Sequence, residues 1–191
     1  MPHSATDNRP GKRDRLVASA RELLHQRGVE RPTLAEIAHA ADVPPGNVYY
    51  YFKTRDDLIH AVVASTADDV RALLGSSGRS ATPQARLKRL TRSWAEAAAL
   101  VAAHGCPIGC LTSGLRRHED GLGEEAAGLF RLILDWAEER FREMGRRDAR
   151  ELATTLLAGV QGASVLAHAL EDPKLLSREV RRLERWIDSL A

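Results

Sequence analysis

Residues 33–58 read TLAEIAHAADVPPGNVYYYFKTRDDL, and this stretch decides how the whole chain is interpreted. Thr33 and Glu36 have the spacing of a capping box, in which each side chain bonds the backbone N–H of the other residue, so a short helix is expected to follow Thr33. Pro44 has no N–H and disfavours helical backbone at the residue before it, which ends this helix. Pro45 suits the first turn of another helix. The stretch therefore predicts two short helices joined by a tight turn, the dimensions of a helix-turn-helix.

The second helix of this pair carries side chains that suit DNA. In a helix-turn-helix the second helix lies in the major groove and the first crosses the phosphate backbone. Gly46 lets the backbone approach base edges, and the amide of Asn47 can both donate and accept hydrogen bonds there. Tyr49–Tyr51 cover most of a helical turn, so at least one phenol faces outward, where it can bond a phosphate. Lys53 and Arg55 add two cations just after the helix.

The same pattern also has a plain structural interpretation. The aromatic run Tyr49–Phe52 could form part of a core, and helical hairpins occur in many proteins that bind no DNA. The stretch from Thr33 to Asp57 is net acidic, and basic support for DNA binding is expected only from the N-terminal arm, through Arg9, Lys12, Arg13 and Arg15. Spacing alone therefore leaves DNA binding and a core role equally open.

The stretch resembles the DNA-binding domain of the TetR family of bacterial repressors. The shared signature is T-x-x-x-I-A-x-x-A-x-V-x-x-G-x-x-Y-x-x-F, followed by a basic residue, an acidic residue and Leu, and the resemblance extends over about residues 12–72. It implies an all-helical homodimer in which a three-helix DNA-binding part is joined by a fourth helix to a larger ligand-binding part. Asp42 departs from the frequent Gly of the turn, which is tolerable because Asp adopts left-handed backbone more readily than most residues. Tyr51 stands where the family often has His.

The resemblance also assigns roles to individual residues. It implies base contacts at Gly46 and Asn47, and phosphate contacts at Tyr49 and at the basic pair that follows the helix. It further implies that Thr33 caps the first motif helix and contacts a phosphate. The complete set of candidate DNA-binding residues is Thr33, Pro45, Gly46, Asn47, Tyr49, Tyr50, Tyr51, Lys53 and Arg55.

Composition sets wider limits on fold and function. A chain of 191 residues that is 43% hydrophobic and 28% charged fits one compact domain, or two small ones, and is too apolar to be disordered throughout. Aromatic and β-branched residues are few, which favours helix over sheet. The net charge of +2 makes no electrostatic case for nucleic acid. The sequence has no nucleophile elbow, Gly-rich phosphate loop or HExxH motif, so we expect neither an enzyme nor a cofactor.

Helical periodicity extends along the chain and predicts an all-α protein of about nine helices in two parts. Residues 1–10 are expected to form a disordered arm, residues 11–74 the DNA-binding domain with its linking helix, and residues 82–191 a ligand-binding and dimerisation domain. The Gly- and Ser-rich loop Gly75–Pro83 marks the boundary. Helices are expected over Gly11–Gly28, Thr33–Ala41, Pro45–Phe52, Thr54–Leu73, Pro83–His104, Pro107 to about Glu119, Gly123–Met144, Asp148–Leu170 and Asp172–Leu190.

Two runs without charged residues, Ala97–Leu115 and Leu152–Leu170, need to be tested as membrane spans. Both barely reach spanning length and contain several polar residues. Residues 2–15 are polar and charged, so no signal peptide is expected. We expect both runs to be buried helices of a cytoplasmic protein.

The C-terminal part carries the candidate ligand pocket. Residues 104–111, HGCPIGCL, resemble a Gly-Cys-Pro/Leu-Ile-Gly segment of one branch of the TetR family, some of whose members repress efflux or detoxification genes and respond to small organic or electrophilic compounds. Aromatic residues at helical spacing, Trp94, Phe130 and Trp136, fit either a core or a ligand wall. The candidate pocket residues are Leu90, Trp94, Cys106, Ile108, Leu111, Phe130, Leu134, Gln161 and Val165.

The two cysteines allow further interpretations. Cys106 stands just before or at the start of a helix, where free N–H groups and the helix dipole favour a thiolate, so an electrophile could act through it. The competing interpretation is a small, buried and inert thiol. Cys106 and Cys110 could also bind a metal ion with His104 or His118, but their four-residue spacing and the lack of a second Cys pair disfavour this, and no metal site is expected.

The last two helices carry the candidate dimer interface. The final helix has an apolar seam at spacings of four and three, and the helix before it has small residues that allow close approach. The candidate interface residues are Gly159, Gly162, Leu176, Val180, Leu183 and Ile187. The alternative is that this seam packs within one subunit.

The sequence therefore predicts a ligand-responsive, DNA-binding transcriptional regulator, released from a palindromic operator by a small organic effector. Its expected partners are double-stranded operator DNA, the effector and a second copy of the chain. The alternative is a helical sensor or interaction protein that does not bind DNA.

Overall fold

The computed structural model describes residues 10–76, 81–116 and 121–190, and within them the chain forms ten α-helices and no strand. The helices are α1 Lys12–Arg27, α2 Leu34–Ala40, α3 Pro45–Tyr51, α4 Arg55–Gly75, α5 Pro83–Glu96, α6 Ala98–His104, α7 Pro107–Leu115, α8 Leu122–Glu143, α9 Ala149–Ala169 and α10 Pro173–Ser189. The expected all-α class is confirmed. One helix more than expected is present because the helix predicted from Pro83 to His104 is interrupted at Ala97. The predicted arm, apart from Pro10, and the predicted end near Glu119 lie outside the described residues.

The chain divides into two compact units, residues 1–62 and 63–191. The division lies inside α4, between Val62 and Val63, and not in the Gly75–Pro83 loop where the sequence placed it. The physical reason is that the second half of α4 contributes Val70 to the hydrophobic core of the second unit. The linking helix therefore belongs to both units.

The first unit is formed by α1, α2, α3 and the beginning of α4. The apolar face of α1 is buried in full, at Leu16, Ala20, Leu23 and Leu24. The helix ends at Gly28, as predicted, with a φ of 84° that favours glycine. Helix α2 contacts both α1 and α3, so it lies between them in the packing of this unit.

The second unit has one hydrophobic core to which α5, α8, α9 and α10 contribute most of the side chains. Helix α9 packs against α6, α8 and α10, and α10 packs against α5 and α9. The last helix, α10, starts where predicted and is capped by Asp172, whose carboxylate accepts a hydrogen bond from the backbone N–H of Lys174 at 2.9 Å. At the start of α9 the Asp148 side chain forms no cap, and its carboxylate instead accepts two hydrogen bonds from Arg146, both at 3.1 Å.

The predicted intersubunit seam is wrong for four residues, which lie in the core of their own subunit. Leu176, Leu183 and Ile187 have no exposed surface and Val180 is 2% exposed, because α10 folds back onto α5 and α9. Gly159 serves the same packing, since a Cβ there would lie 2.9 Å from Glu179 Oε1 and 3.3 Å from Leu183 Cδ2. Gly162 differs, because a Cβ at this position would meet no atom within 4 Å.

Two described segments are long and apolar enough to cross a membrane, Ala98–Leu115 and Ala149–Ala169. The first is two helices, α6 and α7, separated at Gly105, where φ is 82°. The second is α9, which buries Leu152, Leu156 and Val160 in the core of the second unit. Both segments therefore serve as core helices.

Candidate nucleic-acid interface

The start of α2 forms the predicted capping box. The Thr33 hydroxyl accepts a hydrogen bond from the Glu36 backbone N–H at 3.2 Å, and the Glu36 carboxylate accepts one from the Thr33 backbone N–H at 2.8 Å. The latter bond is the main reason why the pKa of Glu36 is lowered. The Thr33 hydroxyl also donates to Glu36 Oε2 at 2.8 Å. Its proton is thus committed to the cap, and the hydroxyl offers no free donor to a phosphate in this conformation.

The turn between α2 and α3 depends on Asp42. Its φ of 51° confirms the predicted left-handed backbone. The backbone N–H of Asp42 donates to His39 at 3.1 Å, and that of Val43 donates to Ala38 at 2.9 Å. The Asp42 carboxylate lies 3.3 Å from the Arg15 guanidinium group, which ties the turn to α1. These contacts fix the angle at which the chain enters α3.

Helix α3 has one buried and one exposed side. Val48 and Phe52 are 1% and 3% exposed and hold the helix in the first unit. On the outer side, Tyr49 is 58% exposed and Tyr50 is 77% exposed. Pro45 and Gly46 are exposed and Asn47 is half-buried. The interpretation of the whole aromatic run as core is therefore wrong for Tyr49 and Tyr50.

The remaining predicted DNA contacts are Tyr51, Lys53 and Arg55, of which only Lys53 is exposed. Tyr51 is half-buried, and its ring meets that of Tyr50 edge-on, with centroids 5.0 Å apart and planes at 86°. Lys53 is exposed and donates from Nζ to the backbone carbonyl of Tyr49 at 3.0 Å. Arg55, by contrast, is half-buried and donates to the backbone carbonyl of Val29. This bond assigns Arg55 a structural contact within the first unit.

Three of the four acidic residues of the motif, Glu36, Asp42 and Asp57, have structural partners, which explains why a DNA-binding motif carries them. Thr54 and Asp57 form a second reciprocal cap at the start of α4, with bonds of 2.9 and 3.1 Å. The bond from the Thr54 backbone N–H is the main cause of the lowered pKa of Asp57. Glu36 caps α2, and Asp42 pairs with Arg15. These carboxylates therefore stabilise helix starts and the turn.

The candidate pocket residues of the second unit do not share one environment. Some lie in the core, Gln161 contacts a thiol, and Val165 lies on the surface. Most of them are buried or partly buried: Leu90, Trp94, Cys106, Ile108, Leu111, Phe130 and Leu134. Gln161 is half-buried and donates from Nε2 to Cys106 Sγ at 3.5 Å, so the structure brings these two together. Val165 is 66% exposed on α9, and its assignment to an internal pocket is wrong.

The two thiols differ in their surroundings. Cys106 is buried and occupies the N-cap position of α7, as predicted. Cys110 donates to the backbone carbonyl of His104 at 3.4 Å, and burial is the main cause of its raised pKa. Among residues 10–76, 81–116 and 121–190, no three His, Cys, Asp or Glu side chains form a group that could hold a metal ion. His118 lies outside these residues.

The structure also shows a cavity that the sequence did not indicate. It has a volume of about 460 Å³, and its wall includes Arg71, Arg86 and Arg140. These arginines come from α4, α5 and α8, and are too far apart in sequence for any spacing rule to group them.

Comparisons with known proteins agree with this arrangement. Residues 16–62 match the bacterial regulatory proteins of the tetR family, and residues 83–181 match the C-terminal domain of LmrA/YxaF-like transcriptional regulators. The transcriptional regulator AcuR of Cereibacter sphaeroides is 28% identical over 165 residues, which cover 80% of this chain and 74% of AcuR. The HTH-type transcriptional regulator TtgR of Pseudomonas putida is 25% identical over 196 residues, which cover 93% of this chain and 88% of TtgR.

Solved structures show the same fold. The regulatory protein TetR from Rhodobacter sphaeroides has a TM-score of 0.79 at 26% identity, covering 90% of this chain and 96% of that one. A TetR transcriptional regulator from Legionella pneumophila has a TM-score of 0.83 at 21% identity, covering 95% and 98%. With the helix-turn-helix of α2 and α3 in the first unit and a helical second unit, the chain belongs to the TetR family of bacterial transcriptional regulators.

Proposed function

We propose that the protein is a transcriptional repressor that binds a palindromic operator as a homodimer and is released by a small organic effector. The observation that carries DNA binding is the outer side of α3, where Tyr49 and Tyr50 are exposed while Val48 is buried. A phenol held outward on such a helix is available to a phosphate or a base edge. Repression is supported by the relative KstR2 of Rhodococcus jostii, which is named a transcriptional repressor.

We propose that the second copy of the chain binds the outer side of α9. Val165, Leu166 and Leu170 are 66%, 54% and 66% exposed. Ala158 and Gly162 are also exposed and continue the same side of the helix toward its N-terminus. A contiguous apolar surface of this kind marks an interaction site. A second copy fits it best, because a palindromic operator requires two subunits related by a two-fold axis.

Release follows from the geometry that such a dimer needs. Two recognition helices must lie about 34–36 Å apart to enter successive major grooves on one side of the DNA. An effector bound in the second unit would favour another spacing. It can do so only if it binds the released state more tightly, because equal affinity for both states shifts nothing. Such a regulator acts in the cytoplasm, where the DNA is.

The test is binding to the DNA upstream of the protein's own gene. We expect a footprint over two half-sites, and affinity about 1,000-fold or more above that for a scrambled sequence. Asn47→Ala should change the preference at one base pair, by about 1–3 kcal/mol. Equal affinity for the scrambled sequence would refute the proposal and favour a sensor that does not bind DNA.

A further inference from the structure

The cavity between the second half of α4, the start of α5 and α8 has a cationic wall. Its volume of about 460 Å³ is bounded by Arg71, Arg86 and Arg140, with Trp136, Leu74 and Leu132 beside them. No carboxylate is among the described residues that line it. Guanidinium groups in a concave wall attract a negative ligand, and the indole and leucine side chains offer apolar contact.

The carboxylates near these arginines lie outside the wall. Arg71 is 2.8 Å from Asp68, but the two side chains are 59% and 76% exposed, so water screens this pair. Arg86 and Arg140 both face Glu143, at 3.6 and 2.9 Å. One carboxylate thus lies between two guanidinium groups whose side chains are only 19% and 11% exposed.

Arg140 has donor capacity that the described residues do not use. Its Nη2 contacts Glu139 at 2.7 Å and Glu143 at 2.9 Å, but its Nε–H is buried without an acceptor among the described residues. The guanidinium carbon lies 5.2 Å from the centroid of the Trp136 ring, which holds the group in place. A planar guanidinium with a free donor suits a carboxylate, which can accept two parallel hydrogen bonds.

A second cavity of about 350 Å³ continues this space along α4 and α8. The two cavities share Arg71 and Leu132. The second has apolar side chains, among them Ala67 and Leu129, but also the carboxylates of Asp68 and Glu125. These carboxylates repel an anion, so the anionic end of a ligand is directed to the arginine cavity, while an apolar chain can extend along the groove.

We infer that this groove binds the effector, and that the effector is an amphipathic organic carboxylate. Its carboxylate is bound by Arg86 and Arg140, with Arg71 as a third positive charge in the same wall, and its apolar part lies against Trp136 and Leu132. The inference rests on the proposed function, because it names the ligand class of that regulator. The ligand would bridge α8 and α4, and α4 begins at Arg55, directly after the DNA-binding motif in the chain.

The test is calorimetric titration of the full chain, without DNA, with decanoate and with decanol. The two probes have the same chain length, and only decanoate carries a charge. We expect the affinity for decanoate to be at least about tenfold higher than that for decanol, because only decanoate can form charge-assisted hydrogen bonds with the arginines. Equal affinity for the two probes would overturn the inference.

Variants locate the site. Arg71→Gln with Arg86→Gln should lower decanoate affinity about tenfold and leave decanol affinity unchanged. Arg71→Gln alone changes an exposed side chain, so it tests the site if the double variant does not fold, and we expect about a threefold loss. Arg92→Gln is the matched control, on α5 beside Glu184 and outside the cavity wall. Full decanoate affinity in the Arg71 and Arg86 variants would overturn the inference.

Operator binding is measured separately, with and without decanoate. Decanoate binding by a chain that has no operator affinity would refute the proposed function and retain the carboxylate site. Operator binding without decanoate binding would overturn only the inference. Decanoate binding that leaves operator affinity unchanged would overturn the effector role of the groove.

Discussion

The ammonium group of Lys53 donates a hydrogen bond to the backbone carbonyl of Tyr49, with 3.0 Å between the two atoms. The bond spans the last turn of α3 and places a positive charge at the negative end of the helix dipole. It also brings the two predicted phosphate-binding residues to the same end of the helix. The cation retains further donors for a phosphate oxygen.

Lys53→Ala is expected to weaken binding to all DNA sequences by a similar factor, because phosphate contacts carry no sequence information. The slope of log K against log salt should decrease by about 1. Tyr49→Phe removes a neutral donor, so it should weaken binding with the slope unchanged. Fluorescence anisotropy over a salt series measures both, with Lys174→Ala on α10 as the control. Unchanged affinity and slope in Lys53→Ala would contradict this docking.

Val165→Glu with Leu166→Glu is expected to give a folded monomer, because both side chains lie on the exposed side of α9. Leu100→Glu, at a residue of α6 that is 48% exposed, is the control and should remain dimeric. Val180→Asp should instead unfold the subunit, since an uncompensated buried charge costs about 3–5 kcal/mol. Light scattering and circular dichroism measure mass and folding. A folded Val165 and Leu166 double variant that stays dimeric would show that the second copy binds elsewhere.

Gly105→Ala is expected to destabilise the second unit more than Gly145→Ala. Both glycines have positive φ, 82° and 80°, so each alanine incurs a left-handed backbone cost of about 1–2 kcal/mol. Only at Gly105 would the new Cβ also clash, 2.5 Å from Cys110 Sγ, whereas at Gly145 it would meet nothing within 4 Å. Urea unfolding measures the difference. Adding Cys110→Ala should reduce the excess loss at Gly105, and a double variant with no recovery would exclude the sulfur as its cause.

Acid is expected to weaken the starts of α2 and α4. The pKa values of Glu36 and Asp57 are lowered in the folded chain, chiefly by backbone N–H groups. The stabilisation from such groups is fully present above the unfolded pKa and is lost as pH falls through the folded one, so the loss begins below about pH 4. Urea midpoints should therefore fall more steeply in wild type than in Glu36→Gln with Asp57→Asn. If the urea midpoints of wild type and the double variant fell in parallel with pH, the two caps would not contribute to the acid sensitivity.

Cys106 is expected to react with iodoacetamide before Cys110. Burial raises the pKa of the Cys110 thiol, which leaves less thiolate there, and this thiol also donates to the backbone carbonyl of His104. Mass mapping across pH, in wild type and Cys106→Ser, measures the order. Earlier labelling of Cys110 would contradict it. Electrophile-driven release of DNA that persists in Cys106→Ser would exclude a thiol sensor and leave a non-covalent effector.

Local rules predicted most of the DNA-binding unit. The caps at Thr33 and Thr54, the stop at Gly28 and the left-handed Asp42 each depend on neighbours within a few residues, and all are present. Exposure of Tyr49 and Tyr50 was not fixed by the sequence, because three consecutive tyrosines on a short helix can meet either core or water.

Long-range relationships were predicted less well. The spacing of Leu176, Val180 and Leu183 correctly indicated a buried side of α10, but periodicity does not say which chain covers it. Here α5 and α9 of the same subunit do. The arginine cavity was missed for a related reason, since Arg71 and Arg140 come from different helices and line one cavity only in the folded second unit.

The internal burial of the α10 seam has a consequence for genetics. Because the subunit completes its core alone, folding and pairing would be separate steps in the proposed dimer, and subunits would be able to exchange between dimers. A copy with an inactive α3 but an intact α9 surface would then pair with normal copies and trap them in mixed dimers. Such an allele is expected to be dominant over the wild type, whereas an allele that unfolds the seam is expected to be recessive.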